Sequence, residues 1–142
     1  MYKKILVALE NSPADETMLP QIAQLAARLG SELLLLHVAD GWVARSFDQL
    51  KLAESEEMKN DRAYLEKTAA GLRAKDLTVT TLLAMGNPPT EILKVAEAEH
   101  CNLIAMTSHG HRLFGDLVHG STINEVRHRT HIPIFLVRAE KK

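Results

Sequence analysis

A single cysteine, Cys101, stands among the 142 residues, which excludes an intrachain disulfide framework and any multi-cysteine zinc or iron–sulfur site. Net charge is nearly absent too: 17 Lys and Arg against 18 Asp and Glu leave −1. A chain so balanced carries no global electrostatic footprint for nucleic acid or anionic lipid. The apolar runs, such as Leu33 to Leu36, fall far short of a bilayer span. Met1-Tyr2-Lys3-Lys4-Ile5 passes straight into a strand-like run, without the apolar segment and small-residue cleavage site of a signal peptide. Internal repeats, low-complexity tracts and linkers are missing as well. The expectation is one cytoplasmic domain over residues 1–142, binding neither nucleic acid nor membrane.

What is present suits a packed core. Apolar residues make up 46% of the chain and charged residues 25%, a globular balance. Apolar runs at 5–9, 33–38, 77–83, 103–106 and 132–137 read as strands. The first, second and fourth are near-continuous rather than alternating, the pattern of strands buried on both faces. Helical patterns separate them. Leu19, Ile22, Ala23, Ala26 and Leu29 form one stripe that Gly30 ends, and Met58, Leu65, Ala69 and Leu72 form another. A third helix is expected from Thr90, after Pro88-Pro89, and a fourth from Ser121 towards Arg129. The charges between Glu54 and Lys75 read as one solvated helix face.

The β-α-β-α-β-α-β-α-β order predicts an α/β fold: a five-stranded parallel doubly wound sheet, order 3-2-1-4-5, with helices on both faces. Ligands of such sheets sit outside the carboxyl ends of the strands, where the winding reverses, here between strands 1 and 4. Residues after Leu9 and after Met106 are therefore expected to line a site, with the unpatterned stretch 40–48 as a loop over it. Trp42 and Phe47 in that stretch would cover a ligand, meet a partner or anchor the loop on helix 2.

Residues 106–121 read Met-Thr-Ser-His-Gly-His-Arg-Leu-Phe-Gly-Asp-Leu-Val-His-Gly-Ser. Gly110, Gly115 and Gly120 let the backbone approach a ligand closely. Gly120-Ser121-Thr122 is expected at a helix start, where unpaired N–H groups and the dipole attract an anion. His109, His111 and Arg112 add donors nearby. The loop reads as a phosphate holder, or as an ordinary set of tight turns in which Thr122-Ile-Asn-Glu125 is a capping box. No Walker loop and no dinucleotide fingerprint is present.

Glu10 is a single carboxylate at the end of strand 1, where it would line the site or cap the first helix. The seven histidines include no helical i, i+4 pair beside a carboxylate, so no metal site is expected. His37 reads as a strand-end residue at the core or pocket rim. Without a nucleophile elbow no catalytic residue is assigned, and any hydrolysis is expected to be slow.

Gly110-x9-Gly120-Ser121 after an apolar strand resembles the nucleotide-binding motif of the universal stress proteins. Lys4-Ile-Leu-Val-Ala, Leu36-His37-Val38, Gly86-x-Pro88, Asn102-Leu-Ile-Ala-Met106 and Ile132-Pro-Ile-Phe-Leu-Val137 resemble family segments in the same order, across essentially the whole chain. The resemblance implies an adenine nucleotide, ATP or AMP, across the ends of strands 1 and 4, with Mg²⁺ accompanying a triphosphate. Ala8, Leu9, Val38 and Met106 would then border the nucleoside. His109, Gly110, His111, Arg112, Gly120, Ser121 and Thr122 would hold the phosphates. It also implies a homodimer through the last strand, Ile132 to Arg138, acting as a sensor or regulator in stress response with a protein partner of unknown identity. A nucleotide-independent interaction module of the same fold is the alternative.

Two departures stand out. The ATP-binding branch of the family that the chain resembles carries Gly-x2-Gly-x9-Gly-Ser/Thr, and Thr107 stands at the first of those glycines. Glu10-Asn11 replaces the usual Asp and the glycine after it. Both fall near the expected ribose position, so the resemblance implies a weakened or repositioned ribose contact, with Glu10 as a ribose acceptor or Mg²⁺ ligand, beside an intact phosphate half.

Overall fold

The computed structural model describes residues 1–39, 56–108 and 114–139, and for 114–121 the backbone only. In chain order the elements are β1 (Lys4–Ala8), α1 (Ala14–Leu29), β2 (Glu32–Ala39), α2 (Glu56–Arg73), β3 (Val79–Met85), α3 (Pro88–Ala98), β4 (Leu103–Ser108), α4 (Phe114–Arg129) and β5 (Ile134–Arg138). The strands form one sheet in the order β3-β2-β1-β4-β5, and every pairing is parallel. This is the architecture expected from the strand and helix order.

Strand alternation builds two cores. Ile5 and Val7 of β1 and Leu33 and Leu35 of β2 pack with Met18 and Ile22 of α1 and Leu65 of α2. Leu6, Leu34, Leu36, Ile104 and Met106 point the other way, against Ile92, Val95 and Ala96 of α3 and Val126 of α4. β1 is the hub: Ile5, Leu6 and Val7 are each fully buried, because the strand has neighbours on both edges and helices on both faces. Among the described residues no helix is long and apolar enough to cross a membrane.

Element boundaries moved in several places. α1 begins at Ala14 rather than near Leu19 and carries Pro20 inside. Its first turn is tied down by Asp15, which accepts the amides of Glu10 and Asn11. α3 takes in Pro88 and Pro89, with the side chain of Asn87 accepting from the Thr90 amide, since proline suits the first turn, where no N–H is needed. β3 lies two residues later than the apolar run at 77–83, in register with β2 from Leu33↔Val79 onward.

A further difference bears on function. α4 starts at Phe114, not Ser121, so Gly120, Ser121 and Thr122 lie inside the helix. No proline interrupts 114–129, and a glycine in a helix costs only about 1 kcal/mol relative to alanine. The glycines therefore do not stop the helix, and Thr122 to Glu125 do not form an N-terminal capping box.

Candidate functional site

β1 hydrogen-bonds to β2 on one side and to β4 on the other, so the chain leaves β1 and β4 in divergent directions. The crevice that this opens at the carboxyl ends is a cavity of about 440 Å³. Ala8, Leu9 and Glu10 line it from β1 and its loop, Val38 from β2, Met106 and Thr107 from β4, and Thr122 from α4. All seven were expected from the sequence. His109, Gly110, His111 and Arg112 lie outside the described residues. Gly120 and Ser121 are in the backbone of α4, two turns beyond its start, where amides are committed to the helix ladder rather than free for an anion.

The cavity has two unlike ends, and strand alternation separates them. Leu36 and Val38 point to the face carrying α3 and α4, where Pro88, Ile92, Met106 and Ile123 complete an apolar slot. On the other face the walls are polar: Glu10 and Asn11 after β1, His37 from β2, and Glu57, Asn60 and Asp61 from α2. No lysine or arginine is among the described lining residues. An apolar slot next to hydrogen-bonding carboxylates and amides suits a flat ring joined to a hydroxyl-bearing group. Among the described residues no group of three or more His, Cys, Asp or Glu is placed to hold a metal ion by itself.

Two buried carboxylates organise the polar end. Asp15, fully buried, accepts from the Glu10 amide at 3.1 Å, the Asn11 amide at 2.9 Å and the Tyr64 hydroxyl at 2.6 Å. Burial pushes its carboxyl above the usual range, opposed by those three donors. Tyr64 is pushed up in turn, by burial first and then by the hydrogen bond to Asp15. Asp61, 5% exposed, accepts from the Asn11 side-chain amide at 2.9 Å, and its other oxygen lies 3.3 Å from His37 Nε2. The opposite ring nitrogen, Nδ1, is 2.8 Å from the Leu9 carbonyl.

These contacts explain two departures from the family pattern. Asn11 adopts φ 60°, a left-handed conformation that glycine takes freely and asparagine tolerates better than most residues. The loop therefore makes a left-handed turn here without a glycine. Thr107 is 3% exposed, its hydroxyl 3.6 Å from the Met18 sulfur, so the added side chain is accommodated in part by the packing under α1. Glu10 accepts from the Ser12 hydroxyl at 3.1 Å within the loop entering α1. Its backbone amide, not its carboxylate, is what Asp15 anchors.

Sequence reasoning missed the α2 wall. Asp61 was assigned to a solvated face, yet it is buried. The signal was there: position 61 lies three after Met58 and four before Leu65, on the stripe that points inward.

A family model for the "Universal stress protein family" matches residues 1–138. The universal stress protein MJ0577 of Methanocaldococcus jannaschii is 28% identical, with 97% of this chain and 96% of that protein covered. The solved structure of MJ0577 superposes with a TM-score of 0.80 at 27% identity, covering 100% of this chain and 99% of that one. Two further structures share the fold: a universal stress protein from Archaeoglobus fulgidus in complex with dAMP, with a TM-score of 0.71 at 18% identity over 96% and 98% of the chains, and a universal stress protein in complex with cAMP, with a TM-score of 0.70 at 15% identity over 98% of each. With a family match spanning nearly its whole length, and the fold shared with the MJ0577 structure, the chain belongs to the universal stress protein family.

Proposed function

We propose that this protein binds an adenine nucleotide, ATP or AMP, in the switch-point cavity and acts as a cytoplasmic homodimeric sensor or regulator in stress response. The observation that carries the reading is the division of the cavity into an apolar slot and a carboxylate-lined end. In this reading the base enters between Val38, Met106 and Ile123, and Glu10 accepts from a ribose hydroxyl. The phosphates extend towards Thr122, Ser121 and residues 109–112. The dAMP and cAMP complexes of two proteins of the same fold support it.

For the amide of Gly120 to reach a phosphate, the first two turns of α4 must open when nucleotide arrives. Mg²⁺ bound with a triphosphate would take most of its ligands from phosphate and water and one or two from carboxylates. Glu10 fits that requirement as the carboxylate nearest the β1 end. The donors needed for a dedicated, nucleotide-free metal site are not assembled among the described residues. The bound metal would neutralise phosphate charge.

Denaturing freshly purified protein and identifying released nucleotide by ion-pair chromatography tests the proposal. ATP or AMP near one per chain supports it. An empty protein with no thermal shift in millimolar ATP or AMP overturns it. That second outcome favours a nucleotide-independent interaction module, the reading suited by an α4 whose backbone already runs unbroken through Gly120 and Ser121.

A further inference from the structure

The polar end of the cavity contains a pair of groups whose hydrogen bonding is complete only with an extra proton. His37 Nδ1 lies 2.8 Å from the Leu9 carbonyl, and a carbonyl can only accept, so Nδ1 carries a hydrogen. In neutral imidazole the other nitrogen then has a lone pair. That nitrogen, Nε2, is 3.3 Å from Asp61 Oδ2, and an ionised carboxylate also offers only lone pairs. The contact is attractive when a proton sits between them and repulsive when none does.

Asp61 is not spare for this role. Its other oxygen holds the Asn11 side-chain amide at 2.9 Å, so one buried carboxylate links α2, the end of β2 and the loop after β1. Asn11, His37 and Asp61 all line the cavity. Among the described residues, the other titratable groups at this end are Glu57 from α2, Glu10 from the loop after β1, and the Asp15–Tyr64 pair joining α1 to α2. None of them is a cation. The residue of β3 opposite His37 is Leu83. The described lining residues of β4, α3 and α4 are Met106, Thr107, Pro88, Ile92, Thr122 and Ile123, which do not titrate.

We infer that Asp61 is a positioning residue of the ligand site: with one proton shared between it and His37, it fixes the Asn11 side chain and the His37 ring, and nucleotide affinity falls as that proton is lost. The inference rests on the nucleotide reading for its ligand, and not for its geometry.

The discriminating variant is Asp61→Asn. An asparagine carbonyl accepts from Asn11 as the carboxylate does, and its NH₂ donates to the bare Nε2 of a neutral imidazole. The link then closes without the extra proton. ATP affinity of the wild type and D61N, measured by calorimetry from about pH 5.5 to 8.5, the range in which histidine changes charge, separates the two states. The ligand's own titration cancels in the ratio. The wild type is expected to weaken roughly tenfold relative to D61N across that range, the scale of losing a hydrogen bond to a charged group. A constant ratio overturns the inference.

Nucleotide-free protein supplies an independent readout. The imidazole ¹⁵N signals of His37, assigned by their loss in His37→Asn, are expected to show Nε2 protonated while the Asn11 side-chain amide signals hold their bonded positions. Both should move together as pH rises. In D61N the Asn11 signals should stay put, and in Asp61→Ala they should shift at every pH. Asn11 signals indifferent to His37 protonation overturn the positioning role. If ATP binds at no pH, the nucleotide reading fails while these spectra still decide the pair.

Discussion

The hydroxyl of Tyr64, on α2, donates to the fully buried carboxylate of Asp15, on α1, across 2.6 Å. Asp15 in turn accepts the backbone amides of Glu10 and Asn11. One carboxylate therefore anchors the loop after β1 to both helices on that face of the sheet, and sets where Glu10 and Asn11 stand at the cavity edge.

Removing either partner should cost stability out of proportion to the atoms lost. Tyr64→Phe leaves Asp15 with one donor fewer and is expected to destabilise the fold by about 1–2 kcal/mol. Asp15→Ala strands two amides and a phenol and should cost roughly 2–4 kcal/mol. Urea unfolding monitored by circular dichroism gives both numbers. Tyr64→Phe as costly as Asp15→Ala would mean that the loop amides do not depend on the carboxylate.

The same group has a pH signature of unusual sign. Burial raises the Asp15 carboxyl above 3.8, so over the window above that value the native state binds more protons than the unfolded one. Its contribution is then fully present below 3.8 and declines as pH rises through the raised native value. Tyr64→Phe removes the strongest of the influences that hold the carboxyl down and should extend the decline to higher pH. Unfolding free energies for both proteins, measured stepwise upward from pH 4 or so, check this. A wild type that gains more stability than Tyr64→Phe loses over that window, or two parallel profiles, would contradict it.

Most of the fold could be read in the sequence, because buried parallel strands announce themselves. Ile5-Leu6-Val7 and Leu33 to Leu36 are apolar throughout since both of their faces are covered, and five such runs between helical stripes leave few windings. The strand ends of the site followed from that winding. Its α2 wall did not: Asp61 and Glu57 come from a helix far along the chain, and a carboxylate on an inward stripe looks like surface charge until its partners, His37 and Asn11, are in place. The start of α4 was misplaced for a related reason. Glycine and serine at 120–121 suit a helix start, but nothing in 114–120 forbids the helix from beginning earlier.

Filling the apolar slot should block nucleotide without unfolding the protein. Val38 borders the cavity at the end of β2 and is half-buried, so Val38→Trp projects bulk into open space rather than into packed core. The expected result is a loss of ATP or AMP affinity of at least roughly tenfold, with stability changed by no more than about 1–3 kcal/mol, the usual cost of overpacking. Unchanged affinity in a folded variant would remove the slot from the binding site.

Gly120 separates the two conformations that α4 needs in the proposed cycle. Within the helix, Gly120→Ala should stabilise the nucleotide-free protein by about 0.5–1 kcal/mol. If the phosphates require this backbone to open and approach closely, the same substitution should weaken ATP more than adenosine. Thermal melts with and without each ligand resolve the two effects. Equal weakening of both ligands, or of neither, would show that the phosphates do not use this stretch.

Among the described residues β5 pairs only with β4, and on it Leu136 is 50% exposed between the half-buried Phe135 and the buried Val137. An apolar edge strand with unpaired amides favours pairing with another strand, and a second copy of β5 in antiparallel orientation would cover both edges at once with two-fold symmetry. Leu136→Glu sets two like charges close to each other across such a pair and should shift the protein from dimer to monomer in sedimentation velocity. Because the side chain faces solvent in the single chain, the fold and its far-ultraviolet spectrum should be unaffected. A dimer that survives Leu136→Glu unchanged would place the subunit contact away from this edge.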